Sequence, residues 1–93
     1  MNILVIGSGG REYTLAWKMS QSLHCERLFV APGNAGTELI AENVEISPND
    51  FDALGQFVLA NDVELVVVGP EDPLVNGIGD FFEADDTLKN VAF

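Results

Sequence analysis

The stretch Ile3-Leu4-Val5-Ile6-Gly7-Ser8-Gly9-Gly10-Arg11-Glu12 decides the fold. Its first four residues form a continuous apolar run rich in β-branched side chains, the pattern of a strand buried on both faces. Glycines then stop the strand. Leu15, Ala16, Met19 and Leu23 follow at helical spacing and predict a helix with one apolar face. Strand, glycine loop and helix in that order open a parallel β-α-β unit.

The same grammar continues down the chain. Leu28-Phe29-Val30-Ala31 predicts a second strand, ended by the turn signal Pro32-Gly33-Asn34-Ala35-Gly36. A weaker strand is expected near Val44-Glu45-Ile46. Ser47-Pro48-Asn49-Asp50 then supplies capping chemistry for a helix that carries Leu54, Phe57 and Val58 and ends near Asn61. Leu65-Val66-Val67-Val68 predicts another buried strand, closed by Gly69-Pro70. Asp72 reads as an N-cap with Pro73 at the first helical position. The helix behind it presents Leu74, Ile78, Phe81 and Phe82, while Gly77 and Gly79 weaken it. A short last strand is expected from Asn90 to Phe93. The alternation predicts one α/β domain over residues 1–93, with a mainly parallel sheet of about five strands and right-handed crossovers. No internal repeat or low-complexity segment interrupts it.

Composition narrows the function. With 93 residues, of which 47% are hydrophobic, the chain makes one domain that buries about 60–65% of its unfolded surface. The mean hydropathy of +0.20 suits a sheet covered on both faces, or a piece of something larger that buries the rest. A formal charge of −11 and only four cations (Arg11, Lys18, Arg27 and Lys89) argue against nucleic acid and anionic membranes as partners. No apolar run approaches the roughly 20 residues of a membrane span. The start, Met1-Asn2-Ile3-Leu4, has no basic region of a signal peptide, so a cytoplasmic location is expected. A single Cys and a single His give neither an internal disulfide nor a zinc site. Cys25 reads as a small buried residue before a strand, and Trp17 as a packing residue or an interdomain contact. His24 reads as a surface residue, and Glu83-Ala84-Asp85-Asp86 as a solvated turn.

In a parallel sheet of this kind, ligands sit outside the carboxyl ends of the strands, near the point where strand order reverses. The loops Gly7–Arg11, Pro32–Gly36 and Gly69–Pro73 each follow a strand, so all three belong to that edge. A dinucleotide fingerprint needs a third glycine where Glu12 stands and an acidic residue where Ala31-Pro32 stands. A P-loop needs Gly-Lys-Ser/Thr, which is absent. What survives is a small phosphorylated ligand held by backbone N–H groups and Arg11, beside the plainer reading of a tight packing turn. Asn34 offers both a donor and an acceptor to a sugar or phosphate, although its loop also reads as a simple turn. Glu71 suits paired hydrogen bonds to ribose hydroxyls, with a solvated surface carboxylate as the alternative. Asp72 is adequately explained as a cap.

Taken together, Ile6-Gly7-Ser8-Gly9-Gly10-Arg11-Glu12, Leu15-Ala16-Trp17-Lys18, Val30-Ala31-Pro32-Gly33-Asn34-Ala35-Gly36-Thr37 and Val67-Val68-Gly69-Pro70-Glu71-Asp72-Pro73-Leu74 resemble the amino-terminal domain of the phosphoribosylamine–glycine ligases. The resemblance covers essentially the whole chain. It implies a three-layer, Rossmann-like pre-ATP-grasp domain that supplies the substrate side of an ADP-forming ligase. That ligase joins 5-phosphoribosylamine and glycine to give glycinamide ribonucleotide in purine synthesis, through a glycyl-phosphate intermediate. It further implies substrate contacts at Gly9, Gly10, Arg11, Glu12, Pro32, Gly33, Asn34, Pro70 and Glu71, with no catalytic or metal-binding residue on this stretch. Gly9, Gly10 and Arg11 would face the phosphate or ribose, and Asn34 and Glu71 the sugar. ATP and Mg²⁺ (or Mn²⁺) would belong to ATP-grasp lobes that this chain lacks, so the domain alone is expected to be inactive. The family usually reads Gly-Gly-Arg-Glu-His, whereas Tyr13 stands at the His position. A stand-alone nucleotide-binding or interaction module of the same fold is the competing expectation.

Overall fold

The sheet grows outward from β1 (Asn2–Gly7) in a computed structural model that describes residues 1–70, 73–74 and 76–92. β2 (Arg27–Pro32) pairs with one edge of β1 and β4 (Val63–Val68) with the other, both parallel to it. β3 (Glu42–Asn43) adds to the far side of β2, giving the order β3-β2-β1-β4. Side chains of successive strand residues point to opposite faces, so each strand feeds two cores. Ile3, Val5, Leu28 and Val30 pack on one face with Ala16 and Met19 of α1 (Gly10–Ser20). Leu4, Ile6, Phe29 and Ala31 pack on the other with Leu54 and Val58 of α2 (Phe51–Ala60) and with Ile78 and Phe82 of α3 (Ile78–Ala84). The result is the expected three-layer α/β arrangement. Each fully buried Phe or Leu in it is worth about 1.5–3 kcal/mol relative to exposure.

Local chemistry sets the helix ends. The Asp50 side chain accepts a hydrogen bond from Ala53 N at 3.2 Å and caps α2. The ring of Phe57, on the same helix, meets Phe29 edge to face, with centroids 4.9 Å apart. Gly55 lies in the helix interior because a Cβ there would stand 3.0 Å from Leu88 Cδ1. Asp50→Ala should remove the cap without touching this packing. The expected cost is about 1 kcal/mol, or roughly 4–8 °C in Tm for a domain of this size. Thermal melting followed by circular dichroism measures it, and an unchanged Tm would show that the cap is dispensable.

Four sequence expectations shift. Leu23 was assigned to the face of the first helix, but α1 ends at Ser20 and Leu23 is 100% exposed. Tight turns from Gln21 N to Lys18 O and from Ser22 N to Met19 O close the helix before it reaches Leu23. The third strand pairs at Glu42 and Asn43 rather than around Val44–Ile46. Val44 N still donates to Val30 O, but the bond from Ile46 N back to Val44 O bends the chain out of the sheet. Pro73 and Leu74 are helical, as expected, but the helix does not run on unbroken to Phe82, and α3 begins afresh at Ile78. Gly77 precedes it in the left-handed region at φ 94°, and Leu74 is exposed. The N-cap assigned to Asp72 lies outside the described residues. Finally, the sheet has four strands rather than about five. Among the described residues, the last expected strand is a single parallel bridge between Ala92 and Leu65 on the open edge of β4.

Candidate functional site

Strand register brings the three loops together. Gly7 lies opposite Pro32 across β1 and β2, and Ile6 lies opposite Val68 across β1 and β4. Gly33 N donates to Gly7 O at 3.0 Å, and Gly69 N to Ile6 O at 2.9 Å. From β1 the chain first winds toward β2 and β3, then crosses back to β4. The reversal therefore lies between β1 and β4, which makes their carboxyl ends the expected ligand crevice.

The first loop leads into α1 without a side-chain cap, with Gly9 at the N-cap position. The first helical bond runs from Tyr13 N to Gly9 O at 3.1 Å. The amides of Gly10, Arg11 and Glu12 precede it and have no acceptor within the helix. Gly10 and Arg11 are exposed, so that end of the row opens to solvent, while Glu12 is buried. The guanidinium of Arg11 donates from Nη2 to Gly69 O and ties the first loop to the third. That leaves its remaining N–H groups for a ligand.

Asn34 is more committed than its loop suggested. Its Nδ2 donates to Ser8 O at 2.8 Å and to Gly9 O at 3.3 Å, while its Oδ1 accepts from Thr37 N at 2.9 Å. The side chain thus acts as a strut that turns the first loop's carbonyls toward the second loop. Thr37, wholly buried, and Asn43 hold the strut in place. Thr37 Oγ1 accepts from Asn34 N at 2.8 Å and donates to Asn43 Oδ1 at 2.7 Å; Asn43 Nδ2 donates to Asn34 O at 2.8 Å. Gly33, at φ 77°, leaves room for this network, since a Cβ there would lie 2.8 Å from Thr37 Oγ1. Sequence reasoning missed Thr37 and Asn43. Their only signal was two polar residues flanking a short apolar stretch, which also describes a surface turn.

Glu12 is the least ordinary member. Only 5% exposed, it folds into the crevice between β1 and β4. Gly7 and Gly69 make the space: a Cβ on either would sit 2.6 Å from the Glu12 Cδ, and one on Gly9 would sit 3.1 Å from Oε2. Of the sequence-predicted residues, Gly9, Gly10, Arg11, Glu12, Gly33 and Asn34 converge on this edge. Pro32, in a cis peptide with Ala31, and Pro70 flank it half-buried. Glu71 lies outside the described residues, so its position against the crevice is not part of this geometry. The Tyr13 ring rests on the second loop, where a Cβ at Gly36 would come within 3.0 Å of its Cδ2.

Other features stand apart from the edge. Trp17 remains 47% exposed and is not a core residue of this domain. Cys25 is half-buried, and burial pushes its thiol above the ordinary value, away from the reactive thiolate. Among the described residues, no helix is long and apolar enough to cross a membrane. A depression lined by Met1, Val58, Val63 and Val91 lies at the opposite, amino-terminal ends of the strands. It lacks the convergent backbone donors of the loop edge.

With this geometry in view, comparison with known proteins is specific. The family model described as phosphoribosylglycinamide synthetase, N domain, matches residues 1–92. The chain is 58% identical over 79 residues to a phosphoribosylamine–glycine ligase of Rhodopirellula baltica, covering 85% of this chain and 18% of that protein. It is 57% identical over 86 residues to the ligase of Pasteurella multocida (90% and 20%). Against the ligase of Haemophilus influenzae it is 55% identical over 84 residues (88% and 20%). The chain thus spans about a fifth of the length of the curated relatives it matches.

Proposed function

The chain belongs to the phosphoribosylglycinamide synthetase N-domain family, and on that premise we propose that the polypeptide carrying it is a phosphoribosylamine–glycine ligase. In this reading it joins 5-phosphoribosylamine to glycine with ATP, in purine synthesis in the cytoplasm. This domain, residues 1–93, forms the substrate side of the active site. The observation that carries the reading is the lacing of three strand-end loops around one crevice by Arg11, Asn34 and the amides of Gly33 and Gly69. Such lacing pre-sets the free amides of Gly10, Arg11 and Glu12 for a sugar phosphate at low entropic cost. The substrate-contact set is Gly9, Gly10, Arg11, Glu12, Pro32, Gly33, Asn34, Pro70 and Glu71.

The nucleotide and metal belong elsewhere in this reading. Among the described residues, no three acidic, His or Cys side chains gather as a divalent cation needs. In this reading ATP and Mg²⁺ (or Mn²⁺) are held by the ATP-grasp lobes of the same enzyme, and the domain alone supplies one wall of the site without turnover. Bound there, ATP supplies activation of the glycine carboxylate. What these residues contribute is grip and orientation of the phosphoribosyl group.

The complete polypeptide should release ADP in a glycine-dependent manner when phosphoribosylamine is supplied. A folded protein that fails to do so would favour a nucleotide-fold module without ligase activity. A coupled ADP assay, with glycine withheld as the control, decides between them.

A further inference from the structure

The crevice between β1 and β4 holds a carboxylate where a plain phosphate site would hold none. Glu12 is buried, and among the described residues its carboxylate has no hydrogen-bond donor and no ion pair. No side-chain oxygen among those residues is sealed from solvent without a partner, so the Glu12 oxygens open toward the crevice. Gly7, Gly9 and Gly69 enclose the side chain on three sides, and a Cβ on any of them would press on it. The nearest cation along the chain, Arg11, reaches across to Gly69 O instead. A carboxylate kept largely out of water with no partner is costly unless a ligand supplies the donors.

We propose that Glu12 is the specificity-determining acceptor of this site, gripping the vicinal hydroxyls of a ribosyl group. The phosphate lies outward, on the free amides of Gly10 and Arg11 at the exposed start of α1. The inference rests on the sugar-phosphate reading above and adds its polarity. A carboxylate has only acceptor oxygens, and two of them match two adjacent hydroxyls. The same negative charge, set in the first turn of α1, offsets the helix's positive end and repels a phosphate from the crevice floor. One residue therefore both selects the sugar and fixes which end of it points inward.

The test is binding of two probes, ribose 5-phosphate and inorganic phosphate, to the complete polypeptide and to its Glu12→Gln variant, measured by calorimetry or NMR titration. Glutamine keeps the size and loses the charge. Ribose 5-phosphate affinity should fall about tenfold in the variant, while phosphate affinity holds or rises. A parallel loss for both probes, or no loss for the sugar phosphate, overturns the proposal. A second measurement needs no variant: the unaltered protein should bind 2-deoxyribose 5-phosphate about tenfold more weakly than ribose 5-phosphate, and equal affinities overturn it. The two readings fail separately. Discrimination between the sugars without glycine-dependent ADP release leaves the proposed ligase wrong and Glu12's role intact, and the reverse outcome does the opposite.

Discussion

Gly7→Ala is expected to remove most of this domain's stability, a loss of about 3–5 kcal/mol. Two independent penalties fall on one methyl group. Gly7 sits at φ 140°, a backbone conformation that L side chains rarely adopt. Its added Cβ would also enter the space held by the Glu12 side chain, 2.6 Å from Cδ. Glu12 has little room to retreat, because Gly69 and Gly9 close on it from the other sides. Domains of this size have total stabilities near the low end of about 5–15 kcal/mol, so the substitution removes most of the margin. Gly10→Ala is the control. A Cβ there meets nothing within 4 Å, the residue is already helical, and alanine should be neutral or stabilising by up to about 1 kcal/mol. Soluble yield and thermal melting of the two variants separate the cases, and equal behaviour would show that the cradle around Glu12 is not tight.

Gly69→Ala divides the two penalties. Its φ is not in the left-handed region, so only the collision with Glu12 applies. In a Glu12→Ala background that collision disappears, and the glycine substitution should cost little. A coupling of about 1–3 kcal/mol between the sites, read from the double-mutant cycle, is the expected signature of direct contact.

These residues also show where the sequence was legible. Ile3–Ile6 and Leu65–Val68 read directly as strands, because the runs are short, rich in β-branched residues and stopped by glycine. The convergence of their loops then followed from parallel topology alone. Strand β3 was harder. Its pairing depends on Asn43 and Thr37 locking onto Asn34, a tertiary arrangement, whereas Val44 and Ile46 carried the local apolar alternation. For Glu12 the difficulty was different. A glutamate in the first turn of a helix ordinarily faces solvent and complements the dipole, and its burial is decided by glycines at opposite ends of the sequence. The helix expected from Pro73 is helical at Pro73 and Leu74 but is interrupted for a local reason visible in Gly77, whose left-handed conformation restarts the chain before Ile78.

Thr37→Val should cost about 2–4 kcal/mol although it preserves volume and removes only a hydroxyl. Thr37 is fully buried, and its Oγ1 is the hinge of the network: it accepts from Asn34 N and donates to Asn43 Oδ1. Valine removes a partner from both groups, which are half-buried, at the lower half of about 1–3 kcal/mol each, which is why this exchange is not conservative. Thr37→Ser makes the opposite change. It keeps the hydroxyl, loses a buried methyl, and should cost about 1 kcal/mol. If packing dominated, the order would reverse and serine would be the more damaging substitution, so urea unfolding of the pair identifies the force. The consequence reaches the site because Asn34 carries the network's only side-chain links to Ser8 and Gly9 among the described residues. Once Asn34 is released, the first loop's amides lose their fixed direction. In the proposed ligase, Thr37→Val should then raise KM for the sugar phosphate well before kcat falls. A change in kcat alone would place the network's influence on the chemistry instead of on the grip.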